Sequence, residues 1–188
     1  LAIFALYLEA GEMLKNHTVV ATVMSNMGLE KSLAPFGVTT EKSKVGDRYV
    51  VEMMEEKGAV LGGEQSGHIV FWDYNTTGDG ILSSVKLLEI IALSKRSLAD
   101  LADVMEKYPQ VLINVPVKNK ENWEKNIQIT LTIKKLADKL GDQGRILVRA
   151  SGTENLLRVM VEGKDERLIQ EIAERIAAAI NESINGAS

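Results

Sequence analysis

Ala59-Val60-Leu61-Gly62-Gly63-Glu64-Gln65-Ser66-Gly67-His68-Ile69-Val70-Phe71-Trp72 is the stretch on which the rest of the chain is read. Two apolar runs, 59–61 and 69–72, enclose a glycine-rich polar segment, the pattern of strand, tight turn and strand. Between Glu64 and His68 the turn carries a carboxylate, an amide, a hydroxyl and an imidazole. A turn this polar has two readings. It is a solvated hairpin tip, or it hydrogen-bonds a ligand rich in hydroxyl or amino groups, such as a sugar. The residues alone leave both open.

Helical and extended patterns alternate on either side of this hairpin. Residues 1–15 read as an amphipathic helix ending near Asn16-His17, and the β-branched run 18–23 as a strand buried on both faces. Ser25 or Asn26 caps a helix reaching Phe36, closed by Gly37, and Val38-Thr39-Thr40 is extended. Asp47 reads as the N-cap of a helix over 48–57 that Gly58 stops. Beyond the hairpin, Asp79 caps a helix to Leu93, and Ser97 caps another from Leu98 to about Lys107. This alternation predicts a mixed α/β domain over 1–108.

Tyr108-Pro109 breaks the pattern and marks a boundary. In 109–188 a strand over 111–117 carries Pro116, which points to a sheet edge. Residues 120–140 read as mostly helical, although isoleucine and threonine alternate over 127–133 and make a strand a rival there. Strands 145–149 and 156–162 flank a polar loop, and the last helix runs from Asp165 to about Ser183. Its apolar face holds Leu168, Ile172, Ile176 and Ile180, with Ile169 and Ala173 beside them. Together these predict a small α+β domain.

Composition narrows the function classes. Of 188 residues, 45% are hydrophobic and 26% charged, which places the chain with ordinary soluble proteins. A net charge of -4 and a pI near 5.4 argue against nucleic acid as the partner, while 22 lysines and arginines leave room for local basic pockets. The absence of cysteine removes disulfide and thiolate chemistry and fits a reducing, cytoplasmic setting. Leu1 to Leu8 are apolar but too short for a membrane span and lack the basic flank of a signal peptide. A start inside an uncapped helix suggests a chain cut from a longer one.

The second informative stretch is Arg149-Ala150-Ser151-Gly152-Thr153-Glu154-Asn155-Leu156-Leu157-Arg158. Two arginines flank hydroxyl donors and a glycine, the groups an anion such as phosphate needs, although an ordinary hairpin with solvated arginines has the same text. It joins strand to strand and lacks the Gly-Lys-Ser/Thr ending of a P-loop. Lys44 and Arg48 flank a helix start where an anion can sit, and Thr76-Thr77-Gly78-Asp79-Gly80 is explained by capping. His17 reads as a surface histidine, and Trp72 and Trp123 as packing residues. No Ser-His-Asp arrangement, His/Cys metal cluster or Asp-x-Asp set is evident, so no catalytic residue and no metal ligand is assigned within the chain. The residues favour a binding half-site over a self-sufficient enzyme.

GGEQSGHIVF at 62–71, TTGDGIL at 76–82, KVGDRYV at 44–50 and RASGTENLLRVMVEG at 149–163, in that order, resemble the α-D-phosphohexomutases, and most closely the bacterial phosphoglucosamine mutases. The resemblance covers essentially the whole chain and corresponds to the third and fourth of the family's four domains, the fourth being TATA-binding-protein-like. It implies that Glu64 and Ser66 contact sugar hydroxyls, with His68 in the same wall, and that Lys44 and Arg48 lie near the reacting group. It further implies that Arg149, Ser151, Gly152, Thr153 and Arg158 hold the phosphate that is not transferred. The implied reaction interconverts glucosamine 6-phosphate and glucosamine 1-phosphate for peptidoglycan precursors. It uses a phosphoserine, glucosamine 1,6-bisphosphate as intermediate and Mg2+, with the serine and the metal loop upstream of Leu1. The implied partners are the phosphosugar and the amino-terminal domains of the same chain; neither nucleic acid nor a membrane is implied, and a homodimer is left open. The family usually has proline where this chain has Ala150 and Asn155. A phosphoglucomutase or phosphomannomutase shares the phosphate loop and is the neighbouring reading; a non-catalytic phosphosugar-binding module is the other class.

Overall fold

Thr18–Thr22 forms β1, and all five of its residues are buried. A strand buried on both faces requires a layer against each. Val19 and Ala21 pack into a cluster with Phe4 and Ala5 of α1 (Ala2–Ala10), Leu29 and Leu33 of α2 (Met27–Leu33), Ile90 of α4 (Gly80–Ser94) and Leu101 of α5 (Leu98–Ala102). Val20 points the other way, onto Val50 and Met54 of α3 (Asp47–Lys57). Alternation along one strand thus separates the helices into two layers. The computed structural model describes residues 1–186, in two compact units, the first Leu1–Lys107 and the second beginning at Tyr108.

In the first unit the sheet order is β2-β1-β3-β4, with β2 at Thr39–Ser43, β3 at Leu61–Gly63 and β4 at Ile69–Phe71. β1 pairs in parallel with β2 and β3, and β4 returns antiparallel to β3, so the hairpin forms the end of the sheet. Phe4 meets Phe71 edge-on with centroids 4.9 Å apart, joining α1 to β4.

Several boundaries differ from the sequence reading, each for a local reason. The first helix ends at Ala10, because the chain folds back through Met13 and Leu14 amides onto Leu8 O. β3 starts at Leu61 because the Ala59 amide closes α3 on Met54 O. The N-cap of α3 is Gly46; Asp47 is the first helical residue, and its carboxylate takes the Arg48 amide at 2.7 Å. α5 is shorter than expected and ends at Ala102, where the Met105 amide turns back onto Ala102 O. Asn26, Asp79 and Ser97 do cap α2, α4 and α5 through side-chain acceptors.

The second unit pairs β5 (Gln110–Pro116), β7 (Leu156–Gly163) and β6 (Gly144–Ala150) in the order β5-β7-β6, all antiparallel. Pro116 therefore lies on an edge strand, where its missing N–H costs no ladder bond. α6 (Ile127–Leu140) and α7 (Glu166–Ile180) cover the sheet face made by Leu157, Val159 and Val161. The alternating isoleucines of 127–133 are helical. Asn126 caps the helix, Ile129 is buried and Ile133 half-buried toward the core, while Ile127 and Leu131 face outward. On α7 the buried residues are Ile169, Ile172, Ala173, Ile176 and Ile180, with Leu168 only half-buried, and residues 181–185 add a π-helical turn. Trp72 and Trp123 both pack against cores. Residues 187 and 188 of the expected second domain lie outside the described residues.

Candidate functional site

The parallel strands β2, β1 and β3 all run toward one edge, which gathers there the segments that follow them: 44–46, 23–26 and 64–68. In open α/β sheets ligands bind outside the carboxyl ends of the strands, where strand order reverses. Here the order reverses between β1 and β3, and the hairpin turn follows β3.

The turn is tightly made. The Glu64 amide donates to His68 O at 2.9 Å and the Gly67 amide to Glu64 O at 3.1 Å; Gly67 has φ +94°, a conformation that favours glycine. Glu64 is half-buried, and its Oε2 accepts the Gly46 amide at 3.1 Å. One carboxylate oxygen thereby ties the hairpin to the start of α3, and the other acceptor positions remain for a ligand. Ser66 Oγ lies 3.0 Å from His68 Nδ1, with both side chains exposed. The Asp79 amide donates to Ile69 O at 3.2 Å, so the 76–80 segment lies against the base of the same hairpin.

The structure therefore brings Glu64, Ser66 and His68 together with the 44–48 and 76–80 segments. Lys44 and Arg48 are exposed at that edge. The Lys44 ammonium is 5.7 Å from the Tyr49 ring centroid, and Arg48 Nε donates to Glu52 at 2.7 Å. That hydrogen bond and the Glu52 charge push the Arg48 guanidinium above its ordinary range. His17 is exposed and bonds Glu9 at 2.8 Å, away from these segments in sequence and in its contacts. The 22–26 segment, with buried Thr22 and Ser25, joins the same edge and was not marked by its residue types, because only the parallel sheet order brings it there.

In the second unit the decisive relation is a register. Arg149 of β6 stands directly across from Arg158 of β7, on the sheet face opposite the helices. Like charges in opposed positions destabilise a sheet. Burial first, and then the Arg158 charge, hold the Arg149 guanidinium below its ordinary range. The Nε atoms of both arginines are buried and have no hydrogen-bond partner among the described residues. The same strands contain a compensated contrast. Arg145 stands across from Glu162, whose buried carboxylate accepts Arg145 Nε at 2.5 Å and Gln110 Nε2 at 2.8 Å.

Between the paired arginines the loop folds around Ser151, which is buried; Gly152 and Thr153 are exposed. The Ser151 amide donates to Leu156 O, and Ser151 Oγ accepts the Glu154 amide at 3.4 Å. Arg158 Nη2 lies 3.4 Å from Glu154, an exposed pairing of little weight. Lys120, which the sequence did not single out, sends its ammonium to the carbonyls of Ser151 (2.7 Å), Gly152 (3.4 Å) and Glu154 (3.0 Å). Arg149, Ser151, Gly152, Thr153 and Arg158 are thus assembled into one cation-rich hairpin whose guanidinium donors want an acceptor.

Comparison with known proteins agrees with this division. The family model "Phosphoglucomutase/phosphomannomutase, alpha/beta/alpha domain III" matches residues 1–108, and the model of the C-terminal domain of the same family matches 112–179. A phosphoglucosamine mutase of Ruminiclostridium cellulolyticum is 50% identical over 182 residues, and one of Symbiobacterium thermophilum 52% identical over 180. Both alignments cover 96% of this chain and 40% of the relative, so the chain spans about two fifths of the length of these curated relatives. Among solved structures, the Aspergillus fumigatus N-acetylphosphoglucosamine mutase in complex with GlcNAc-6P and magnesium superposes with a TM-score of 0.81 at 18% identity, over 95% of this chain and 45% of that one. A phosphoglucomutase/phosphomannomutase family protein of Burkholderia thailandensis gives 0.75 at 21%, over 100% and 42%. At such identities the likeness is one of fold.

Proposed function

The chain belongs to the phosphoglucomutase/phosphomannomutase family, and from that premise we propose that it is the substrate-recognising part of a phosphoglucosamine mutase. In this reading the enzyme interconverts glucosamine 6-phosphate and glucosamine 1-phosphate in the cytoplasm, by way of glucosamine 1,6-bisphosphate. Glu64, Ser66 and His68 read the sugar, Lys44 and Arg48 lie near its reacting end, and Arg149, Ser151, Gly152, Thr153 and Arg158 hold the phosphate that stays in place. The name of the relatives at about half identity supports the choice of sugar.

The observation that carries the phosphate assignment is the opposed pair Arg149 and Arg158 with its unpartnered Nε donors. A dianion between them converts repulsion into charge-assisted hydrogen bonds. Among the described residues no group of three or more His, Cys, Asp or Glu could hold a metal ion. We assign the Mg2+ ligands and the phosphoserine to the portion of the relatives that this chain does not cover, so the chain alone binds substrate without turning it over. No helix of the described residues is long and apolar enough to cross a membrane.

Titration of the isotope-labelled chain with glucosamine 6-phosphate, glucose 6-phosphate, mannose 6-phosphate and glucosamine tests this. All three phosphosugars should shift Gly152 and Thr153, and glucosamine 6-phosphate should bind most tightly and shift the 64–68 amides as well. Equal response to all sugars removes the specificity role of the hairpin. Silence at 151–153 with every phosphosugar overturns the phosphate assignment, and mutase turnover by the chain alone overturns the division of labour.

A further inference from the structure

Lys120 lies outside the hairpin it touches, 31 positions before Ser151, yet its ammonium collects three of that loop's carbonyl oxygens. In a trans peptide the C=O of one residue and the N–H of the next point in opposite directions, and the chain has no cis bond among its described residues. Carbonyls 151, 152 and 154 turned onto Lys120 therefore turn the amides of Gly152, Thr153 and Asn155 away from it. Those amides have no acceptor among the described residues, whereas Ser151 and Glu154 use theirs within the hairpin. Successive N–H groups facing one side of a turn form a concavity that takes an anion.

Resting on the phosphate reading above, we propose that Lys120 is a positioning residue. It clamps the carbonyl side of the 151–155 loop so that the Gly152, Thr153 and Asn155 amides face the phosphate. The lysine acts through the loop and does not touch the ligand. Its three donors are all committed to carbonyls, which distinguishes it from the arginines across the hairpin, whose Nε donors have no partner. The 151–155 loop contains a glycine and no proline, so its backbone has little rigidity of its own, and an external clamp supplies it.

Because the chain contains no cysteine, Lys120→Cys creates a unique thiol. Alkylation with 2-bromoethylamine rebuilds a lysine-like ammonium there. A methanethiosulfonate carrying a trimethylammonium group instead installs the charge without N–H donors. The probe is inorganic phosphate, followed through backbone amide shifts. Lys120→Cys should weaken binding by up to about tenfold, the scale of one or two lost hydrogen bonds. Aminoethylation should restore it and the quaternary ammonium should not. Rescue by both reagents means that only the charge matters and overturns positioning; unchanged affinity in the unmodified variant overturns it too. The unaltered chain gives an independent measurement. Phosphate should move the Gly152, Thr153 and Asn155 amides more than those of Ser151 and Glu154, and the reverse order refutes the geometry even if the variant does not fold. If phosphate moves none of them, the phosphate reading itself fails, which is a separate result.

Discussion

Replacing Arg158 by methionine should make the protein more stable and less able to bind phosphate. The substitution keeps a long, flexible side chain on β7 while removing the charge opposed to Arg149. A like-charge pair in directly opposed strand positions costs roughly 0.2–1 kcal/mol. Arg158 Nε is also a buried donor without a partner, and such a group costs about 1–3 kcal/mol when fully desolvated. The side chain as a whole is 32% exposed, so the lower end of that range applies. Against this stands the loss of the exposed Glu154 pairing, about 0–1 kcal/mol. The net expectation is a gain of about 1 kcal/mol, which for a unit of this size raises the melting temperature by about 4–8 °C. Arginine stays protonated over the accessible pH range, so pH cannot relieve the repulsion, but an anion can. Calorimetry in a chloride buffer should show the variant melting higher. With phosphate at a hundred times its dissociation constant the parent should gain about 2.7 kcal/mol and overtake the variant, which gains little. A variant less stable than the parent without phosphate would refute the claim that the pair is held in mutual repulsion. Equal phosphate stabilisation of both proteins would refute its role as an anion site.

Two further outcomes follow from the geometry. Glu64→Ala removes the acceptor of the Gly46 amide, so hydrogen exchange at Gly46 should quicken by about the worth of one net hydrogen bond, 0.5–1.5 kcal/mol; unchanged exchange would mean that the carboxylate does not hold the two loops together. Asp100 is kept below its ordinary value of 3.8 by hydrogen bonds from the Ser97 hydroxyl and then the Ser97 amide. A depressed carboxylate contributes stability above its unfolded value and loses it as pH falls through the folded one, so the α5 cap should open only on acidification below 3.8, and Ser97→Ala should bring the midpoint measured by carbon-detected titration back toward that value.

How much of this was legible in the sequence depended on how local the cause was. Caps announce themselves through one side chain and a neighbouring amide, and Asp79 and Ser97 were readable for that reason, whereas Ser25 and Asn26 were rivals until the structure gave the cap to Asn26. β1 was readable because a β-branched, nearly apolar run leaves little face for water. The alternating stretch 127–133 was ambiguous because a period of two places Ile127 and Leu131 on one side of either element; the cap at Asn126 and burial of Ile129 against the sheet decide it. Contacts made by register over long separations left no trace. Nothing in the text sets Arg149 across from Arg158 rather than across from an acid, or brings Lys120 to a loop that follows it by a whole helix and strand.

The hairpin of β6 and β7 divides its labour in a way that bears on how such a protein can change over generations. The two guanidinium groups are rooted in paired strands, whose spacing is kept by the ladder and by burial of the alternate face, whereas the amides belong to the five-residue connection. The loop can therefore be rewritten without separating the charges. The strands have no such freedom: a slip of one residue would turn Arg158 toward α6 and α7. Tinkering is cheap at the tip of this hairpin and ruinous along its stem.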